Sequence, residues 1–116
     1  MNCLFVCTEA LHRSPTAARV FSGLAKARRV VVNVKYAGID ASCRHPISKT
    51  LLRWADRIYV MEQPHALWLV GMDPSCAAKV RVLDIEDVYR RDEPGLIEIL
   101  KEKLEKELPP KQKKRT

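Results

Sequence analysis

The chain contains no apolar run of the roughly 18 residues that a membrane-spanning helix requires. Its first residues also lack the basic stretch, apolar segment and small-residue cleavage site of a signal peptide. We therefore expect a cytoplasmic protein that has no membrane partner. Cysteine thiols stay reduced in that compartment.

Cysteine pairs of the C-x-x-C type are absent, which argues against a zinc ribbon. The four cysteines are scattered at Cys3, Cys7, Cys43 and Cys76, a pattern that does not suit a disulfide framework. Cys3, Cys7 and His12 lie close together in sequence, but a fourth metal ligand is missing. We predict neither a metal site nor a cofactor.

Aromatic residues are scarce, at 6%, and none is interleaved with the basic cluster at the C-terminus. For this reason nucleic acid is not expected as a partner, although the net charge is +7. The length of 116 residues, 47% of them hydrophobic, suits one domain with one core. We place that domain at residues 1–108 and predict a basic, disordered tail at 109–116.

Short apolar or β-branched runs alternate with segments of helical periodicity along the domain. Strands are predicted near 3–6, 30–34, 57–61 and 79–83, and helices near 14–24, 47–55, 64–70 and 96–104. Ser14 is the expected N-cap of the first helix, with Pro15 in its first turn. This alternation predicts an α/β fold, a single-domain three-layer sandwich in which helices flank a four-stranded parallel sheet.

The sequence predicts an anion site at residues 7–15, between the first predicted strand and the first helix. Ligands of open α/β sheets bind at such strand ends. Backbone N–H groups of the loop, together with the helix N-terminus, can cradle a phosphate. The predicted phosphate-binding residues are Thr8, Glu9, Ala10, Leu11, His12 and Arg13.

Three side chains in this segment suit nucleophilic chemistry on a phosphate. Helix N-termini and nearby cations favour the thiolate form of a cysteine, which makes Cys7 a candidate nucleophile. Arg13 offers a planar fork of donors for two phosphoryl oxygens, and Ser14 can donate a hydrogen bond to the sulfur. The alternative interpretation is that Cys7 is an inert core cysteine and Arg13 a surface residue, since C-x5-R also occurs by chance.

The segment at 6–17, with its C-x5-R-S-P pattern, resembles the signature of the low-molecular-weight protein tyrosine phosphatases. Residues 36–38 resemble the family's Ser-Ala-Gly, and residues 54–61 its A-D-x-I-x-x-M segment. Residues 85–89 resemble its acidic D-P-Y loop, with valine in place of proline. The resemblance covers most of residues 1–108. The chain is similar to a compact prokaryotic branch of the family.

The resemblance implies a phosphomonoester hydrolase that acts through a phosphocysteine intermediate. Cys7 would attack phosphorus while Arg13 and the loop N–H groups hold the equatorial oxygens. Asp87 would protonate the leaving oxygen and then activate water, with Asp84 as the fallback for this role. Ser14 would stabilise the thiolate as it leaves in the second step.

The resemblance also implies the substrate class. Tyr89, with Leu11, would line a pocket for a phosphotyrosine protein or a small aryl phosphate, without any metal. The family usually has glycine and asparagine where this chain has Glu9 and Ala10, and the asparagine position suits a left-handed backbone. These departures leave open the alternative of a weak or inactive phosphate-binding module. A second alternative is a thiol-dependent arsenate reductase on the same scaffold, which would have to use Cys76.

Overall fold

The structure is a computed structural model that describes residues 1–110, so residues 111–116 of the predicted basic tail lie outside it. Among these residues, none of the helices combines the length and apolar character needed to cross a membrane. The strands are β1 (Asn2–Cys7), β2 (Asn33–Gly38), β3 (Arg57–Val60) and β4 (Val80–Val82). The helices are α1 (Arg13–Ala27), α2 (Lys49–Trp54), α3 (Gln63–Met72) and α4 (Pro94–Glu105), with a 3-10 helix at Pro74–Lys79 before β4.

The four strands form one parallel sheet in the order β2-β1-β3-β4. The order places β1 between two neighbours, with Cys7 paired to Gly38 in the register of β2. Parallel neighbours need crossover connections, and the helices provide them on both faces of the sheet. The predicted single-domain α/β fold with a four-stranded parallel sheet flanked by helices is thereby confirmed.

Strand β1 contributes side chains to both cores of the sandwich. Phe5 faces the core shared with α1 and α4, where its ring lies 5.2 Å from that of Tyr59 and 5.7 Å from that of Phe21. Leu4 and Val6 face the opposite core, which contains residues of α2 and α3. All of these side chains are buried, as expected for a parallel strand covered on both faces.

The second strand begins later in the chain than the β-branched run at residues 30–34 predicts. Val30 to Val32 precede β2, and only Val34 of that run lies inside it. The backbone N–H of Val30 donates to the carbonyl of Ala25, so this residue belongs to the turn that follows α1. Pairing with β1 determines where the strand begins, because Asn33 is the residue opposite Asn2.

The predicted N-cap of the first helix is wrong. Helix α1 begins at Arg13, and His12 occupies the N-cap position without a side-chain capping bond. Ser14 and Pro15 both lie in the first turn, where backbone N–H groups have no partner within the helix and proline costs nothing. The Ser14 side chain is therefore free to point towards Cys7.

Candidate active site

Cys7 ends β1 and lies at the floor of the loop that leads into α1. The residue is only 3% exposed, and its Sγ lies 3.0 Å from Oγ of Ser14 in the first turn of the helix. Sheet pairing on both sides of β1 fixes the backbone that carries the sulfur. Strand and helix thus bring the predicted nucleophile and its predicted hydrogen-bond donor together.

The loop at 8–12 packs its backbone directly against the end of β2. The carbonyls of Cys7 and Thr8 accept hydrogen bonds from the N–H groups of Ile39 and Asp40, at 3.1 and 2.9 Å. A Cβ at Gly38 would lie 2.7 Å from the Thr8 carbonyl oxygen, so only glycine permits this approach. The glycine of the Tyr36-Ala37-Gly38 motif therefore has a structural role in shaping the loop.

Backbone N–H groups of the loop remain available for a ligand. Within residues 1–110, the N–H groups of residues 9–12 have no hydrogen-bond partner. Ala10 adopts the left-handed conformation, with φ of 58°, at the position where a residue tolerant of that conformation was expected. A short loop with free N–H groups at a helix N-terminus is the arrangement that binds anions.

Arg13 is almost completely buried, at 1% exposure, and its guanidinium is held by two elements. Its Nη1 donates to Oε1 of Glu62 at 2.5 Å and to the carbonyl of Ile85 at 2.7 Å. Among the described residues no hydrogen bond occupies Nη2, and Arg13 lines the cavity above Cys7. One edge of the guanidinium is thus anchored while the other can bind an anion.

His65 positions the hydroxyl of Thr8 at the loop's entrance. Its Nδ1 accepts from the backbone N–H of Glu62 at 3.1 Å, so the ring hydrogen resides on Nε2 and donates to Thr8 Oγ1 at 3.0 Å. Burial, followed by the charge of Arg13, lowers the pKa of His65, in agreement with a neutral ring. The Thr8 hydroxyl hydrogen is then free to donate to a ligand.

Glu62 and His65 were not identified from the sequence. Both side chains contact residues about 50 or more positions away, at Arg13 and Thr8. Their signal is the capping box that begins α3, in which Glu62 is the N-cap and His65 the third helical residue. Such a box predicts where a helix begins, but it does not show that the two side chains contact Arg13 and Thr8.

The segment at residues 84–92 contains the predicted acidic loop at 85–89, and it brings Asp87 to the site but not Asp84. Asp87 Oδ1 lies 3.6 Å from Nε of Arg13, with 62% of the side chain exposed. Asp84 lines separate cavities near α4 and does not line the one above Cys7. Ile85, which is buried, anchors the segment to the core and presents its carbonyl to Arg13.

A cluster of side chains ties the far end of this segment to α1. His12 Nδ1 accepts from the N–H of Arg91 at 3.1 Å, and Thr16 Oγ1 accepts from the N–H of Asp92 at 2.9 Å. The Asp92 carboxylate accepts two bonds from Arg19, at 2.7 and 3.0 Å. The segment is therefore anchored at both ends, with Asp87 exposed between them.

These elements enclose a cavity of about 360 Å³. Tyr89, which is half-buried, and Leu11, which is 50% exposed, both line it. Ala10 and Ser14 are buried and do not line the cavity, whereas Glu9 lines it and is exposed. The lining residues are Cys7, Thr8, Glu9, Leu11, His12, Arg13, Asp87, Val88, Tyr89 and Arg90.

The chain matches no family model and no curated protein sequence, but solved structures resemble it. A low-molecular-weight protein tyrosine phosphatase from T. tengcongensis is 25% identical, with a TM-score of 0.74 over 93% of this chain and 99% of its own. A mutant of YwlE from Bacillus subtilis is 26% identical, with a TM-score of 0.70 over 91% and 92%. The YwlE arginine phosphatase from Geobacillus stearothermophilus is 24% identical, with a TM-score of 0.61 over 91% and 94%.

These alignments span nearly the whole of both chains, so the similarity is one of complete folds rather than of a shared loop. The four-stranded sheet and the helices on its two faces are the common architecture. The resemblance predicted from the sequence is confirmed: this chain has the fold of the low-molecular-weight protein tyrosine phosphatases.

Proposed function

We propose that the protein is a phosphomonoester hydrolase that acts through a phosphocysteine intermediate on Cys7. The observation that carries the proposal is the joint position of Cys7 Sγ, the buried Arg13 and the free N–H groups of residues 9–12 at one cavity. Phosphoryl transfer depends mainly on positioning and on matching the charge of the equatorial oxygens. The loop supplies donors for those oxygens and a sulfur beneath them.

In the first step, the thiolate of Cys7 attacks phosphorus and the bond to the leaving oxygen breaks. The equatorial oxygens accept hydrogen bonds from the loop N–H groups, Arg13 and the Thr8 hydroxyl. Asp87, exposed at the mouth of the cavity, gives its proton to the leaving oxygen so that an alcohol departs. The phosphoryl group is then bonded to sulfur.

In the second step, water attacks the phosphocysteine and the sulfur–phosphorus bond breaks. Asp87, now ionised, takes a proton from the water, and the Ser14 hydroxyl donates to the sulfur as it leaves as a thiolate. The 3.0 Å separation of Ser14 Oγ and Cys7 Sγ supports this role. Inorganic phosphate is released and the enzyme returns to its starting state.

Apolar side chains at the mouth of the cavity favour a substrate with an aromatic leaving group. Leu11, Val88 and Tyr89 surround the entrance, and the first two are well exposed. An aryl ring can bury area against them, whereas a strongly hydrated alkyl phosphate gains less. We therefore propose that the substrate is a phosphotyrosine protein or a small aryl phosphate. We also propose that the enzyme acts in the cytoplasm.

The relatives support this class and supply a second substrate to test. They include proteins named as a tyrosine phosphatase and as an arginine phosphatase. A phosphoarginine would place a charged, planar group where the apolar side chains stand. Equal concentrations of phosphotyrosyl and phosphoarginyl peptides of matched sequence therefore test the substrate assignment directly, and we expect faster hydrolysis of the former.

A module that binds phosphate without turnover is the second candidate. The exposed Glu9 carboxylate favours it because its charge repels a dianion, and the left-handed Ala10 adds to the cost of holding the loop in its shape. Arsenate reduction has less support. Its relay would need Cys76, whose buried side chain donates to the Leu69 carbonyl in the core of α2 and α3 and whose pKa is raised by burial.

The deciding experiment measures hydrolysis of p-nitrophenyl phosphate by the wild type, Cys7→Ser and a matched control, Cys43→Ser. We expect turnover in the wild type and control only, and a phosphorylated Cys7 peptide by mass spectrometry after acid quench. Cys7→Ser should still bind vanadate, because the loop and Arg13 are unchanged. Binding without turnover in the wild type would identify the module instead.

A further inference from the structure

A second cavity is larger than the one above Cys7. It has a volume of about 750 Å³ and lies where α1 faces the edge strand β2. Aliphatic side chains form much of its lining, among them Ala18, Val34 and Leu51. A cavity of this size can bury a ligand of several residues or a small molecule.

The charge around this cavity is strongly unbalanced. Its charged residues are Arg19, Lys35, Arg44, Arg91 and Asp92. Arg19 is neutralised by Asp92, and the Lys35 ammonium lies 4.5 Å above the ring of Trp54. Arg44 and Arg91 are exposed, and neither has a carboxylate within 4.0 Å in the part of the chain that the structure describes. Two guanidinium groups are thus available to an anionic ligand.

This cavity adjoins the candidate active site. Arg90 lines the cavity above Cys7 and Arg91 lines the larger one, so consecutive residues separate the two. The His12 ring, which lines the active-site cavity, accepts from the N–H of Arg91 and forms part of the same boundary. An extended peptide advances about 3.3 Å per residue, so a few residues suffice to pass from one cavity to the other.

We propose that this cavity binds an acidic segment next to the phosphorylated residue of a protein substrate. The inference rests on the proposed phosphatase function and narrows its substrate class. Carboxylates of the segment pair with Arg44 and Arg91, for which guanidinium groups have matching geometry. The methylene groups of glutamate side chains and the peptide backbone pack on the aliphatic lining. A polypeptide suits both features, whereas a single-stranded nucleic acid would mainly use the charge.

The test compares two phosphotyrosyl peptides, one flanked by glutamates and one by glutamines, with p-nitrophenyl phosphate as a third substrate. The double variant Arg44→Gln/Arg91→Gln is matched by Arg53→Gln/Lys101→Gln, two exposed cations that line neither cavity. Exposed ion pairs are individually weak, so loss of two of them should lower kcat/KM for the acidic peptide about twofold to thirtyfold. The other two substrates and the control variant should change less than twofold.

Two kinetic outcomes would overturn the proposal. One is a wild-type enzyme that does not prefer the acidic peptide over the neutral one. The other is an equal loss on all three substrates, which would mean that the two arginines act on the active site itself. A loss confined to the acidic peptide and abolished by added salt supports the proposal, because exposed charge pairs are screened.

Binding measurements separate this inference from the proposed function. Fluorescence anisotropy of a labelled, unphosphorylated glutamate-rich peptide needs no turnover. If no substrate is hydrolysed but this peptide binds and requires Arg44 and Arg91, the phosphatase proposal fails and the acidic-segment site stands. Absence of binding overturns the site. Tighter, arginine-dependent binding of a labelled single-stranded oligonucleotide would overturn it in favour of nucleic acid.

Discussion

The two loops that form the candidate site differ sharply in how they are held. The loop after β1 runs from Cys7 to Arg13, both almost fully buried, and packs its backbone against Gly38. The segment at 84–92 is anchored mainly near its ends, and Asp87 in its middle is mostly exposed. One loop is thus part of the core, and the other lies on the surface.

This difference matches the two kinds of work that the proposed reaction requires. Donors that stabilise transition-state charge are effective only when they are fixed beforehand, so the phosphate loop must be rigid. The acid exchanges protons first with a leaving oxygen and later with water, and exposure lets one carboxyl reach both. We therefore expect substitutions in the first loop to affect both folding and chemistry, and those in the second loop to affect chemistry alone.

Arg13→Ala should give the largest effect. An arginine that stabilises a phosphoryl transition state is worth about 10³–10⁵ in rate, so turnover of p-nitrophenyl phosphate should fall by that range. Loss of its bonds to Glu62 and Ile85 should also lower the free energy of unfolding by about 1.5–3 kcal/mol, measured in urea. Arg13→Lys keeps the positive charge but lacks the planar fork of guanidinium donors. Relative to Arg13→Ala, it should therefore restore more of the stability than of the activity. An unchanged unfolding midpoint in Arg13→Ala would contradict the buried anchoring.

Asp87→Asn should reduce chemistry without reducing stability. General acid catalysis contributes about 10²–10⁴ in rate, so hydrolysis of phenyl phosphate, a poor leaving group, should fall by that factor. The loss on p-nitrophenyl phosphate should be smaller, because its leaving group needs little protonation. Asp84→Asn is the matched control, since that residue lines other cavities. If the control shows the larger loss on phenyl phosphate, the acid is Asp84.

Acidification should destabilise the first loop through His65. Burial and the charge of Arg13 lower the pKa of this residue, so the unfolded chain binds its proton more readily than the folded one. The contribution of His65 to the free energy of unfolding is therefore complete above the pKa of histidine in the unfolded chain, about 6.5. It decreases as the pH falls below that value, until the pH has passed the pKa of His65 in the folded protein. Urea unfolding at pH 7.5 and 5.0 should show this loss in the wild type and less of it in His65→Asn. The exposed His45 provides the control His45→Asn, and an identical pH response in all three proteins would remove His65 from the explanation.

Ala10→Gly should give the smallest effect. A left-handed conformation costs a residue with a Cβ about 1–2 kcal/mol, and glycine avoids this cost. Glycine also has more conformational freedom in the unfolded chain, and this lowers the free energy of unfolding by about 0.4–1 kcal/mol. A net stabilisation of about 0.5 kcal/mol is expected in urea unfolding, and a marked destabilisation would show that the left-handed backbone is not the native one. Glu9→Gly, at an exposed neighbour, is the control for adding a glycine to this loop.

The same contrast explains what the sequence could and could not predict. The loop from Cys7 to Ser14 is one contiguous motif between a buried strand and a helix, so local pattern suffices to find it. Glu62 and His65 reach the loop only through sheet pairing and the crossover helix, and no local pattern links them to Arg13. The start of β2 was likewise misplaced, because a β-branched run indicates burial while the register with β1 decides which residues pair.

Strand β1, which serves both cores, also links the candidate nucleophile to the cooperative unfolding of the whole domain. Amide groups in such a central strand exchange with solvent only when the protein unfolds globally, whereas exposed segments exchange through local opening. Hydrogen exchange at Val6 and Cys7 should therefore follow the global free energy, and exchange near Asp87 should be faster and independent of it. Destabilising substitutions far from the site would then leave each folded molecule with intact chemistry. Measured activity would decline in proportion to the folded population.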